Sequence, residues 1–152
     1  MGWTNKGKAA VLGWAFQGVT IPTNFYVALV TDAVAPVADT NTKTELTEIA
    51  NGQGYTTGGI QLTKNDTDFD VLTEDDTGDA GLIQIRDLVW TAAAGPIPAS
   101  GDGARYAVLT DDNVTQGSRE IYAFWDLEEA RQVSDGQTLT LQNLELRLDE
   151  PA

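Results

Sequence analysis

The chain has 152 residues, neither cysteine nor histidine, and nine Lys and Arg against 23 Asp and Glu, for a formal net charge of −14. Those absences exclude Ser-His-Asp relays, imidazole bases, thiol nucleophiles, disulfides and every metal or haem site built on His or Cys. The scattered basic residues cannot displace counterions from a phosphate backbone or hold an anionic membrane, so neither nucleic acid nor membrane is an expected partner.

The length suits one domain, able to bury roughly 70% of its unfolded surface. A hydrophobic share of 41% argues against disorder. No apolar run approaches the ~20 residues of a membrane span. Met1 to Phe16 places Lys6 and Lys8 before a short apolar stretch without a small-x-small cleavage site, so no signal peptide is expected.

In chain order, Thr4 to Phe16 reads as a short helix capped by Thr4 or Asn5. Val11, Leu12, Ala15 and Phe16 share a stripe, while Trp14 falls outside it. Gly7 and Gly13 each weaken the helix by about 1 kcal/mol relative to Ala, so it needs a surface to dock on. Asn24 to Thr31 is a strand with Phe25, Val27 and Leu29 on one face and Tyr26, Ala28 and Val30 on the other, which suits an interior position. A loop rich in Asp, Thr and Pro follows from Asp32 to Lys43. Thr42 and Glu45 have capping-box spacing, and a short helix is expected near 44–51, ending at Gly52.

Beyond Tyr55 the pattern is β. Gly58-Gly59 marks a bulge or a close backbone approach. Leu82 to Thr91 reads as one strand interrupted at Asp87, followed by strands at Ala104 to Thr110 and Glu120 to Trp125. In the last segment Leu139 and Leu141 keep one parity whereas Leu144, Leu146 and Leu148 keep the other, which predicts a β-bulge near Gln142-Asn143. Six to eight strands of this kind predict a mainly β chain: an antiparallel β-sandwich or jelly-roll-like barrel with a short N-terminal helix. The division expected is an N-terminal arm over 1–20 and a single β domain over 21–152.

Few side chains carry chemistry. Asp66, Asp68, Asp70, Glu74, Asp75, Asp76 and Asp79 form an acidic run whose first three members have EF-hand spacing. Val71 then stands where the loop needs glycine and Thr77 where it needs glutamate, so a solvated loop is expected and no metal site. Asp87 and Asp126 are candidates for a glycosidase carboxylate pair, but nothing singles them out from other acidic residues. Trp90 and Trp125 lie inside strands and read as core, whereas Trp3 and Trp14, in the N-terminal segment, suit an interface equally well. Asp111-Asp112-Asn113 and Gly101-Asp102-Gly103 read as turns. No phosphate-binding glycine motif occurs. Neither enzymatic activity nor a cofactor is expected.

Several segments together resemble a small structural protein family of tailed bacteriophages. They are T-N-K-G-K (Thr4 to Lys8), I-P-T-N-F-Y-V-A-L-V-T (Ile21 to Thr31), N-G-Q-G-Y-T-T-G-G (Asn51 to Gly59), V-W-T (Val89 to Thr91), A-R-Y-A-V-L-T-D (Ala104 to Asp111), Y-A-F-W (Tyr122 to Trp125) and D-G-Q-T-L-T-L (Asp135 to Leu141). The resemblance spans nearly the whole chain and implies a non-enzymatic virion component. The leading expectation is a head-decoration or cement protein on the capsid surface, a homotrimer bound to the major capsid protein through Trp3, Val11, Leu12, Trp14 and Phe16. A tail or tail-fibre component is the alternative, and a carbohydrate-binding module a more distant one.

Overall fold

The computed structural model describes residues 1–149. It is a two-layer antiparallel β-sandwich of ten strands with one α-helix. Strand β1 is Gly2–Trp3 and helix α1 is Asn5–Phe16. The strands that follow are β2 (Asn24–Val30), β3 (Ile60–Thr63), β4 (Val71–Asp75), β5 (Ala80–Ile85), β6 (Leu88–Thr91), β7 (Ala104–Thr110), β8 (Ile121–Arg131), β9 (Thr138–Leu141) and β10 (Leu144–Asp149). One layer is a five-stranded sheet in the order β1-β8-β7-β2-β3. The other combines β10-β5-β4 with the pair β6-β9. Neither layer closes on itself, so the architecture is a sandwich and not a barrel.

Strand β2 is interior, as its two apolar faces predict. Phe25, Val27 and Leu29 face the second layer and join the main core, whereas Ala28 and Val30 pack with Val108, Ile121 and Leu46 on the opposite face. Each such large side chain, fully buried, contributes about 1.5–3 kcal/mol. Gly58-Gly59 is a close approach: Gly59 has φ +78°, and a Cβ there would lie 1.8 Å from the Val27 carbonyl oxygen. Strand β8 runs six residues beyond the predicted end at Trp125: after the Tyr106–Asp126 pair its register with β7 breaks around Glu128, at φ +68°, and pairing resumes at Ala104–Arg131.

The helix expected near 44–51 shrinks to a single 3₁₀ turn, Lys43–Glu45. The Glu45 carboxylate accepts from the Thr42 and Asn41 N–H groups at 2.8 and 3.0 Å, which is the acidic half of the predicted box. Leu46 is already extended, with φ −117° and ψ 162°. Continuing the helix would sacrifice bonds to β2, since Thr31 N–H donates to Thr47 O and Ile49 N–H to Leu29 O. Pairing with a sheet therefore wins over a local helical signal.

In the second layer, Leu82 to Thr91 is two strands, β5 and β6, and the C-terminal leucines also divide, into β9 and β10. The predicted bulge is absent. A bulge would put an extra residue on one strand only. Here Ile85 faces Leu144 and Leu88 faces Leu141, so two residues separate these pairs on both strands. The antiparallel ribbon keeps its register and rolls over at Arg86-Asp87 and Gln142-Asn143. Asn143 takes φ +55°, and Gln142 Nε2 donates to Asp87 Oδ2 across the break at 2.9 Å. The roll puts Ile85, Leu88, Leu141 and Leu144 all into the core despite their clashing parity.

A polar network that the sequence did not reveal ties the 43–58 segment to the first sheet. Lys43 and Glu48 form a buried ion pair at 2.6 Å, with 6% and 13% side-chain exposure. Glu48 Oε1 also accepts from Tyr55 OH at 2.7 Å and from Gly58 N–H, and Tyr55 OH accepts from Leu29 N–H. Burial, then the nearby Glu48 charge, pushes the Tyr55 hydroxyl well above its ordinary pKa, so it stays a donor. The Arg119 guanidinium stacks over Tyr26 at 3.7 Å. Removing one member of a buried pair leaves the other charge uncompensated. Glu48→Ala is therefore expected to lower unfolding free energy in urea by about 3 kcal/mol or more. Lys43→Met in that background should restore part of the loss; an unaltered midpoint for the single variant would disprove the network's role.

Candidate functional site

Between α1 and the β4-β5-β10 end of the sandwich the two layers leave a groove of about 580 Å³ with an almost wholly apolar lining. The first sheet supplies Phe25, Leu109 and Tyr122 as its floor. Val11 and Trp14 from α1 and Trp3 from β1 form one wall, and Leu72, Ile83, Leu146 and Leu148 form the other. Phe69, from the β3-β4 connection, closes one end. Aromatic edges hold the floor together: Trp14 meets Tyr122 at 5.3 Å and Phe25 at 5.9 Å, and Phe25 meets Phe69 at 5.9 Å, all edge-to-face. Such pairs add about 0.5–1.5 kcal/mol beyond area burial.

The N-terminal segment is built into this site. Strand β1 pairs with β8 through Gly2–Phe124 and Trp3–Ala123. Thr4, fully buried, caps α1 by accepting from Gly7 N–H at 2.9 Å, and its hydroxyl donates to the Ile121 carbonyl. The helix ends where Gly18, at φ +66°, lets Val19 N–H reach back to Gly13 O. Trp3 Nε1 donates to the Arg147 carbonyl, linking β1 to β10 across the groove. The five side chains singled out for anchoring therefore separate. Trp3, Val11 and Trp14 are partly buried and line the groove, whereas Leu12 and Phe16 point to solvent at 60% and 82% exposure. The wall from β4, β5 and β10 and the floor residues were missed, because β4 reads as part of an acidic loop until its pairing with β5 is known.

The acidic run is that hairpin and its approach. Asp68 turns to Arg86 and to Thr63 N–H, and Asp75 turns to Arg147 at 3.0 Å and to Gly78 N–H. Among the described residues no group of three or more acidic side chains is placed to hold a metal. Asp87 is bound to Gln142, and Asp126 to Arg105 at 2.9 Å, so neither is a free carboxylate aimed into a cleft. Trp90 and Trp125 are core, at 3% and 7% exposure. Asp111-Asp112-Asn113 forms the expected turn: Asp111 Oδ1 accepts from Asn113 and Glu120 N–H groups, and Asp112 from Asn24 N–H. No helix among the described residues is long and apolar enough to cross a membrane. Comparison of the chain with protein families, curated proteins and solved structures returned no match.

Two partly buried carboxylates, Asp68 and Asp111, titrate in opposite senses. At Asp68 burial pushes the pKa up, but the Arg86 and Thr63 hydrogen bonds outweigh it and the net shift is downward. Its stabilising contribution is complete above the unfolded value near ~3.9 and is lost as pH falls through the folded value. At Asp111 burial is the largest influence, and with the charges of Glu120 and Asp112 it overrides two backbone hydrogen bonds, so the net shift is upward. That group favours the fold when protonated and loses its contribution as pH rises through the folded value. Asp111→Asn keeps the Oδ1 acceptor and removes the charge. Its melting temperature should exceed wild type at pH 7 and converge on it near pH 3; a lower value at pH 7 would contradict this assignment.

Helix docking yields a second test. Gly7 weakens an isolated helix, yet a Cβ there would lie 2.1 Å from the Tyr122 carbonyl oxygen. Alanine should gain about 1 kcal/mol of helix propensity and lose about 1–3 kcal/mol to overpacking. Gly7→Ala is thus expected to melt lower than wild type, whereas Gly13→Ala, which meets only the Val19 side chain at 3.2 Å, should stay close to it. Equal behaviour of the two variants would refute the close contact.

Proposed function

We propose that this protein is a non-enzymatic structural component of a tailed-phage particle, a decoration or cement protein that binds the assembled head and resists separation of its shell subunits. The observation that carries the reading is the groove itself. A sandwich of this size has the residues to close its core, yet it leaves Leu72 and Leu148 at 81% and 53% exposure beside a floor of aromatic rings. Exposed apolar patches of this kind mark interaction surfaces. The resemblance of the strand and turn segments to phage structural proteins supplies the setting, and the inventory without His or Cys supports a role in adhesion over catalysis.

In this role each copy buries apolar area across a joint in the major capsid protein shell, so parting the joint must also expose that area to water. A homotrimer at a symmetry axis would place three such contacts around one joint. The acidic exterior suits a particle coat, because like-charged particles stay dispersed. A tail location uses the same module at much lower copy number. Quantitative mass spectrometry of purified particles tests the reading: hundreds of copies per particle are expected for a head coat, six to a few dozen would move the protein to the tail, and absence from the particle would refute a structural role. Binding on a glycan array would instead favour a carbohydrate-binding module built on Trp3 and Trp14.

A further inference from the structure

The groove continues into an acidic shelf. Glu74, Asp75, Asp76 and Asp79 surround a second depression that shares Gly81 and Leu148 with the apolar one. The sheet explains the continuity. Leu72, Ile83 and Leu146 form one row across β4, β5 and β10, and Glu74, Gly81 and Leu148 form the next row on the same face. Apolar groove and carboxylates are thus successive steps of one surface. Asp75 is neutralised by Arg147, but Glu74, Asp76 and Asp79 are exposed and make no ion pair among the described residues. Asp66 adds a further exposed carboxylate at the groove's other end. Lys64, on the groove lining beside Asp66, makes no ion pair among the described residues.

We propose that the groove docks a basic amphipathic segment of a partner protein, its apolar side chains seated over Tyr122 and Ile83 and its Lys or Arg residues on the shelf of Glu74, Asp76 and Asp79. Charge complementarity selects this occupant. A second copy of the chain carries −14 and nine basic residues in all, so two shelves brought together repel, and like charges across an interface suppress a wrong partner. The proposal rests on the adhesive reading above and names the chemistry of the surface that the head must present.

Gly81 provides a test that leaves charge untouched. It lies in the shared row of groove and shelf, its φ is not left-handed, and a Cβ there meets nothing within 4 Å. A large side chain fits a strand position and projects into the site. Gly81→Phe should therefore fold with an unchanged or higher melting temperature and block the groove. Labelled peptides alternating Lys with Leu and Trp, the same sequence with Glu for Lys, and the same with Ser for Lys serve as probes for the full-length protein. The Lys peptide is expected to bind best, to weaken as salt rises from 50 to 300 mM, and to lose at least tenfold in affinity to Gly81→Phe. Lys-peptide affinity unaltered by Gly81→Phe, or equal affinity for the Glu peptide, would overturn the proposal. Self-association of the wild-type protein abolished by Gly81→Phe would assign the groove to a second copy and overturn it too. A protein that binds the Lys peptide through the groove but is missing from purified particles keeps this inference and loses the phage reading; a particle-bound protein whose Gly81→Phe form still binds the peptide does the reverse.

Discussion

The architecture depends on one constraint, the phase conflict in the second layer. Side chains on a strand alternate with period two, so Ile85 with Leu88, and Leu141 with Leu144, cannot share a face of a regular ribbon. The chain resolves this by rolling both strands together at Arg86-Asp87 and Gln142-Asn143 without losing register. On one side of the roll, β6 and β9 press Leu88, Trp90, Leu139 and Leu141 fully into the core. On the other side, β4, β5 and β10 keep only Ile85, Leu144 and Leu146 buried, and Leu72 and Leu148 remain open to water. One end of the sandwich is sealed and the other is a groove.

The N-terminal segment then finishes the open end. A weak helix with two glycines cannot persist alone, but Thr4 fastens its start to β8, Gly7 lets it approach the Tyr122 backbone, and Trp14 packs edge-to-face on both Phe25 and Tyr122. The same contacts that hold α1 in place make it a wall of the groove. Loss of residues 1–16 would therefore remove β1 from its pairing with β8 and uncover the aromatic floor, coupling the groove's shape to the stability of the first sheet.

Much of this was legible in the sequence where a local pattern and a tertiary need agree. Two apolar faces identified β2 as interior, Ala104–Thr110 matched its strand at both ends, and Gly58-Gly59 signalled either a bulge or a close backbone approach, of which Gly59 makes the second. The leucine parity break was legible as an irregularity, but its form was not, because choosing between a bulge and a roll requires knowing that the partner strand breaks opposite. The Thr42–Glu45 signal yielded to pairing between the 46–49 segment and β2. Of the anchoring set, Trp3, Val11 and Trp14 share the groove while Leu12 and Phe16 do not, since helical spacing alone does not say which stripe meets the sheet. Lys43, Glu48, Tyr55 and Arg119 carried no sequence signal at all; their network exists only after distant loops meet.

The proposed place on a phage head is open to one decisive measurement, a reconstruction of purified particles of the phage proposed to carry this chain. Under the proposed role, density for this sandwich is expected on the outer head, with α1 and the β4-β5-β10 end turned toward the shell and the groove filled by a segment of the subunit beneath. A particle that carries the protein by its β6-β9 end, with the groove empty and facing solvent, would contradict it.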